Sequence, residues 1–212
     1  MLAGLLQGFR GSGAVVLAIP AGGYPVACEI AARLALPLDV AVVSKITPSW
    51  NTEVGYGAVA FDGTRRINEA MADELGIDRQ ERQAGIETAS RKVARRVALL
   101  RDGAPAPDLS GRPVILVDDG LASGLTMLVA IEALEKLGTG AITVAVPTGH
   151  VAAARLVAER TAAVYCANLR SGARFAVAAA YERWQDVTDD EILKLRQRRL
   201  QPPGASRQEG RG

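Results

Sequence analysis

An apolar strand that runs into two adjacent acids constrains this chain more than any other stretch. Val114–Val117 are branched apolar residues without polar alternation, a pattern typical of a strand buried on both faces. Asp118 and Asp119 follow at its carboxyl end, and that edge of a doubly wound sheet faces a ligand crevice. The pattern therefore predicts an α/β fold with polar chemistry at the end of this strand.

The residues after the acids form a pattern typical of a phosphate-binding turn. Positions 122–126 are small or hydroxyl-bearing apart from Leu125, and an apolar helix-like run follows them. Free N–H groups at such a helix start, with the Ser123 and Thr126 hydroxyls, would cradle a phosphate. Gly124 would let the backbone approach it. The two acids would accept hydrogen bonds from ribose hydroxyls, whereas a surface turn with a chance pair of acids is the alternative.

This order of strand, acid pair and Ser/Thr/Gly loop resembles the phosphoribosyl-pyrophosphate motif of type I phosphoribosyltransferases. The resemblance covers roughly residues 14–196. It implies an α/β fold with a doubly wound, mostly parallel sheet, a flexible β-hairpin flap, and a small C-terminal hood at about residues 169–189. We expect one domain over residues 1–200 and a disordered tail at 201–212, which is polar and rich in Pro, Gly and Arg.

The resemblance also implies a reaction and its participants. Ribose 5-phosphate would pass from 5-phosphoribosyl pyrophosphate to a nitrogen nucleophile, usually a nucleobase, with release of pyrophosphate. Asp118 and Asp119 would position the ribose hydroxyls and the water molecules of a Mg²⁺ ion. Lys45 would contact the pyrophosphate, although a solvated lysine at a strand end fits its neighbours too. The loop assigned to the phosphoribosyl group comprises Gly120, Leu121, Ala122, Ser123, Gly124, Leu125 and Thr126.

A second loop is predicted at the same edge of the sheet. It follows a strand at residues 14–19 and precedes a helix, which makes a βαβ unit with the next predicted strand, residues 38–43. Two later strands are predicted at residues 141–146 and 162–166. The resemblance places Ala21, Gly22 and Gly23 against the pyrophosphate, through N–H groups freed by an unusual peptide geometry; a simple connecting turn is the alternative. Family members tend to have Arg where this chain has Ala21, and its loss removes a bidentate contact.

Two further segments are expected to close over the site. Residues 56–68 predict two short strands around an Asp-Gly turn, a hairpin that would be the flap. In the helix-prone segment 69–101, Arg91, Lys92 and Arg95 would reach the leaving pyrophosphate, or they would form a solvated helix face.

The acceptor is left open by the sequence. Phe175 would stack on a planar heterocycle within the hood, although a core anchor is an equal alternative. Ala122 stands where hypoxanthine-guanine enzymes carry an acid that exchanges a proton with the purine, and adenine-type enzymes also have Ala there. A non-catalytic regulatory protein that binds phosphoribosyl pyrophosphate or a nucleotide is the second hypothesis, favoured by Ala21. A diphosphokinase would need an ATP site, for which the sequence gives no signal.

Composition and charge exclude several classes of protein and partner. Lys and Arg number 25 against 23 acids, so the net charge of +2 gives no reason to expect nucleic acid or membrane. Cys28 and Cys166 lie far apart and predict reduced core residues, and one histidine, His150, argues against a structural zinc site. Without an uncharged apolar run of about 18 residues or a signal-type segment, we expect a soluble cytoplasmic protein. The resemblance alone implies a homodimer.

Overall fold

A five-stranded parallel sheet and a three-stranded antiparallel sheet form the body of the chain. The computed structural model describes residues 1–52, 54–172 and 175–200, so the predicted tail at 201–212 lies outside it. The strands are β1 (Val15–Ala18), β2 (Leu38–Val40), β3 (Val43–Ile46), β4 (Gly57–Ala60), β5 (Arg65–Ile67), β6 (Val114–Val117), β7 (Ile142–His150) and β8 (Ala163–Arg170). The helices are α1 (Leu2–Leu5), α2 (Gly23–Leu34), α3 (Glu69–Glu74), α4 (Arg79–Arg101), α5 (Leu125–Lys136), α6 (Val151–Ala158) and α7 (Asp189–Leu200).

The central strand β6 is buried on both faces, as its continuous apolar run predicted. Leu116 belongs to a core cluster with Met127 and Ile131 of α5 on one face, whereas Ile115 packs on the other face with Ile30 of α2. Each such side chain stabilises the fold by roughly 1.5–3 kcal/mol relative to exposure. The sheet order β2-β1-β6-β7-β8, with helices on both faces, confirms the predicted α/β architecture.

The second predicted strand, Leu38 to Val43, is divided between the two sheets. β2 ends at Val40, and the bond from the Ala41 N–H to the Ala18 carbonyl is the last one to β1. The chain then enters β3, which pairs antiparallel with β4. The prediction of one strand was wrong because continuous burial looks the same whether the backbone stays in one sheet or crosses to another. Lys45 therefore lies inside β3, opposite Ala58.

The predicted hairpin is present as β4 and β5. Asp62 shapes its turn, since its carboxylate accepts hydrogen bonds from the N–H and the hydroxyl of Thr64 at 2.9 and 2.7 Å. β4 is buried along its whole length, and it packs against both α4 and α5. The hairpin is thus joined to β3 and to two helices, and its movement as a flap stays a prediction.

The helix-prone segment 69–101 forms two capped helices. The Asn68 side chain accepts from the Met71 N–H at the start of α3, and the Asp78 side chain accepts from the Glu81 N–H at the start of α4. None of the helices in the described ranges is both long and apolar enough to cross a bilayer.

Candidate functional site

The acid pair and the second loop touch at the carboxyl edge of the sheet. β1 and β6 are paired in parallel, so the loop after β1 lies beside Asp118 and Asp119. A Cβ atom placed on Gly22 would lie 1.8 Å from Asp119 Oδ2, and one on Gly23 would lie 2.7 Å from the Val117 carbonyl oxygen. Only residues without a side chain allow this approach. The structure thus brings the two predicted loops to one point.

The backbone of the second loop has the unusual peptide geometry that the family resemblance implied. The peptide bond between Pro20 and Ala21 is cis. Ala21 is partly buried against the core and lines a cavity of about 420 Å³ that Asp119 also lines. The loop, the acid and the cavity form one continuous surface.

The two carboxylates are desolvated and lie against each other. Burial raises the pKa of Asp118 well above its usual range, and the neighbouring charge of Asp119 adds to this effect. Burial likewise raises the pKa of Asp119, while Lys45 favours the ionised form of both acids. The Asp119 N–H donates to Asp118 Oδ1 at 2.8 Å and holds that side chain in place. Such a pair favours a proton, a cation or hydroxyl donors in its vicinity.

The raised pKa values predict a specific pH dependence of stability. Above pH 3.8, the ordinary aspartate pKa, the unfolded chain releases the protons of Asp118 and Asp119, whereas the folded chain still binds them. The contribution of the pair is therefore most favourable below that pH and is lost as the pH rises toward the folded pKa values. Relative to the Asp118→Asn, Asp119→Asn double variant, the wild type should lose about 1.4 kcal/mol per pH unit for each titrating acid. Urea unfolding from pH 4 to 8 measures this difference, and parallel curves for the two proteins would contradict it.

The loop after the acids has backbone N–H groups without hydrogen-bond partners in the described chain, and a glycine sets its conformation where α5 begins. Gly124 has φ +80° and precedes α5, a conformation that glycine adopts without strain. Within the described residues, no hydrogen bond occupies the N–H groups of Ala122, Ser123, Gly124 or Thr126, and the Leu125 N–H makes a long bond of 3.4 Å to Ser123 Oγ. Ala122 and Ser123 are exposed. These groups are suitably placed to bind an anion.

Two residues of this loop pack against neighbouring parts of the chain, one against β7 and the other against the hood. Leu121 is buried; its N–H donates to the Thr148 carbonyl at 3.0 Å, and its carbonyl accepts from the His150 N–H at 2.8 Å. These bonds explain why β7 extends beyond the predicted end at Val146. A Cβ on Gly120 would meet Val177 at 2.6 Å, so the hood rests directly on this glycine.

The aromatic wall beside the acids is built by residues to which the sequence assigned no role. Tyr181 and Trp184 line the 420 Å³ cavity, and their rings meet edge to face at 5.1 Å. The Tyr181 hydroxyl donates to the Asp119 carbonyl at 2.7 Å. Phe175 does not line this cavity but lies 5.9 Å from the His150 ring. The aromatic concentration in the hood was the available signal, although it could not rank these rings.

The cations of α4 divide between the site and solvent. Lys92 and Arg96 line a cavity of about 500 Å³ together with Lys45, whereas Arg91 forms an exposed pair with Glu87. Arg95 lies with Lys92 and Arg96 around a smaller hollow at the start of α7. Arg96, which the sequence did not place in the site, contacts the second loop. Its Nη1 donates to the Pro20 carbonyl at 3.4 Å and its Nε donates to Asp189 at 2.7 Å.

Comparisons with known proteins agree on one family. A model described as "Phosphoribosyl transferase domain" matches residues 1–167. A Mycobacterium tuberculosis protein named as a candidate phosphoribosyl transferase is 34% identical over 198 residues, which cover 91% of this chain and 43% of that protein. The chain thus spans less than half the length of the curated relatives that it matches. The crystal structure of TT1426 from Thermus thermophilus superposes with a TM-score of 0.70 at 28% identity, covering 92% of this chain and 93% of that one.

Proposed function

The chain belongs to the phosphoribosyl transferase domain family, and from this premise we propose that it transfers ribose 5-phosphate from 5-phosphoribosyl pyrophosphate to a nitrogen atom of a nucleobase-like acceptor. The observation that supports the proposal most is the approach of Gly22 to Asp119. This approach places the second loop, the carboxylate pair and the anion-binding turn around one space. A sugar with phosphate groups on both ends matches that arrangement.

The reaction breaks the bond from ribose C1 to the pyrophosphate oxygen and forms a bond from C1 to the acceptor nitrogen, whose proton passes to the leaving pyrophosphate or to water. Positive charge develops on the sugar ring in the transition state, and the desolvated carboxylates of Asp118 and Asp119 stabilise it while accepting bonds from the ribose hydroxyls. The open N–H groups at 122–126 bind the 5′-phosphate. Lys45, Lys92 and Arg96 line the side on which pyrophosphate leaves, and their charges stabilise it.

Mg²⁺ fits the donor set of this site. No cluster of three or more His, Cys, Asp or Glu side chains suited to a metal occurs among the described residues. Mg²⁺ is commonly held by one or two carboxylates together with substrate phosphates, and Asp118 and Asp119 supply such oxygens directly or through water. When bound, the ion neutralises charge on the leaving pyrophosphate.

Arg96 provides a guanidinium to a loop that carries none at position 21. Its side chain is 18% exposed and lies between the Pro20 carbonyl and Asp189. A guanidinium has five donors, so these contacts leave others for a pyrophosphate oxygen. Arg96 can therefore make the bidentate contact to the leaving pyrophosphate that an Arg at position 21 would otherwise make.

Arg96→Gln is expected to raise the KM for phosphoribosyl pyrophosphate about tenfold, because one charge-assisted contact is lost. Lys92→Gln should act in the same direction, and Arg91→Gln, at an exposed position of the same helix, should change the KM by less than about twofold. Initial rates of pyrophosphate release measure these values. The Asp189→Asn variant, which weakens the contact between Arg96 and Asp189, is the matched control for a role of Arg96 that is only structural. If it reproduced the full effect of Arg96→Gln, Arg96 would not contact the substrate.

The activity itself is tested by pyrophosphate release from the sugar diphosphate with Mg²⁺ and a panel of purine and pyrimidine bases. Release that depends on one base supports the proposal. Calorimetric binding of the sugar diphosphate without release under any base would favour the regulatory alternative, in which the same site senses the compound.

A further inference from the structure

A separate cavity, of about 270 Å³, lies at the β2 side of the parallel sheet. None of residues 118–126 lines it. Apolar walls come from the strand starts and from the connector after α4, with Pro37, Pro105 and Pro107 among them. Four arginines line the cavity, whereas Asp39 is the one carboxylate among its described lining residues; the four are Arg101, Arg112, Arg196 and Arg199.

The guanidinium groups are held in place by the backbone. Arg112 donates twice to the Gly13 carbonyl, at 3.2 and 2.9 Å, and Arg196 donates to the Arg101 carbonyl at 2.9 Å. Arg199 donates to the Leu36 carbonyl at 2.7 Å. Each guanidinium has five donors, so further donors remain after these bonds are made. Fixed forks lose little conformational freedom when they bind an oxyanion.

Two donor groups at this cavity make no hydrogen bond within the described chain. Tyr24 is only 4% exposed and lines the cavity, and its hydroxyl makes no hydrogen bond within the described chain. Burial raises the pKa of Tyr24 to about 12, so the hydroxyl stays protonated and can donate. Arg101 Nε is also buried without a hydrogen-bond partner, although its Nη2 pairs with Asp39 at 3.1 Å. Buried donors of this kind normally meet an acceptor.

We propose that this cavity binds a phosphate group, carried by free phosphate or by a small phosphomonoester. The side chains of Tyr24 and the four arginines line one space, and planar guanidinium forks match phosphate oxygens. The proline and leucine walls would accommodate the carbon part of an ester. This site is separate from the acid pair and does not depend on the proposed transfer reaction.

The test is ¹⁹F NMR of the full chain labelled with 3-fluorotyrosine. The Tyr24 resonance is assigned with Tyr24→Phe, and the protein is titrated with inorganic phosphate and with glycerol 3-phosphate at constant ionic strength. We expect the Tyr24 resonance to shift until it saturates. The compound with the lower dissociation constant, inorganic phosphate or glycerol 3-phosphate, identifies the preferred form of the phosphate group. Tyr181, which contacts Asp119, reports separately on the acid-pair site, so failure there leaves the result at Tyr24 interpretable.

Arg196→Gln should weaken this binding about tenfold, which is the effect of one charge-assisted hydrogen bond. Arg112→Gln changes a different wall and should act alike if the first variant folds poorly. Arg198→Gln, an exposed position on α7 that does not line the cavity, is the matched control. A Tyr24 resonance that saturates with neither compound, or equal weakening by Arg198→Gln and Arg196→Gln, would overturn the proposal.

Discussion

Replacing Asp119 with Asn should lower kcat/KM for the sugar diphosphate about a hundredfold, because a charged acceptor of ribose hydroxyls is lost. The side chain keeps its shape, so the loss reports the charge and not the packing. Asp119 is contacted by both the second loop and the hood, since Gly22 packs on its carboxylate and Tyr181 binds its carbonyl. Steady-state pyrophosphate release and calorimetric binding of the sugar diphosphate measure the two parts of the effect.

The same variant should not be less stable at neutral pH. Asn removes one of two desolvated carboxylates, and with it the charge that adds to the raised pKa of Asp118, so the free energy of unfolding should stay equal or increase. Asp190→Asn, at an exposed position in the first turn of α7, is the control and should leave both rate and affinity unchanged. Unaltered affinity in the Asp119 variant would remove the basis of the proposed function.

The centre of the site was predictable because its signals are local in sequence. The run Val114–Val117, the acids and the small residues after them predicted a buried strand, a polar edge and an anion-binding turn. The strand and its place in a parallel sheet are confirmed. Each of these features depends on residues within about four positions of one another, and tertiary contacts have little room to override them.

The composition of the walls around that centre was less predictable because it depends on how distant elements pack. The cluster of cations on α4 predicted Arg91, Lys92 and Arg95 in the site, but the packing of α4 against β3 and β4 turns Lys92 and Arg96 inward. In the hood, the sequence favoured Phe175 over Tyr181, whereas Tyr181 lies beside the acids. Helix rotation and loop path decide such choices, and neither leaves a local pattern.

Gly22→Ala should be the most informative single change at the junction of the two loops. Gly22 has φ −59° and ψ −31°, which alanine adopts freely, so any effect must be steric. The new methyl group would lie 1.8 Å from Asp119 Oδ2 and 2.6 Å from its Cγ, and either the carboxylate or the loop must move. A displacement of about 1 Å at a reacting group is expected to cost about a hundredfold in turnover, and the crowding about 1–3 kcal/mol of stability.

A matched control and a double variant separate this mechanism from general damage. Gly4→Ala lies in α1 with no atom within 4 Å of the new Cβ, so it should change neither turnover nor stability appreciably. Because Gly22→Ala acts through the position of the Asp119 carboxylate, combining it with Asp119→Asn should lower turnover little further than either change alone. Losses that multiplied in the double variant would show that the loop and the acid act independently, and the single phosphorylated-sugar site would have to be abandoned.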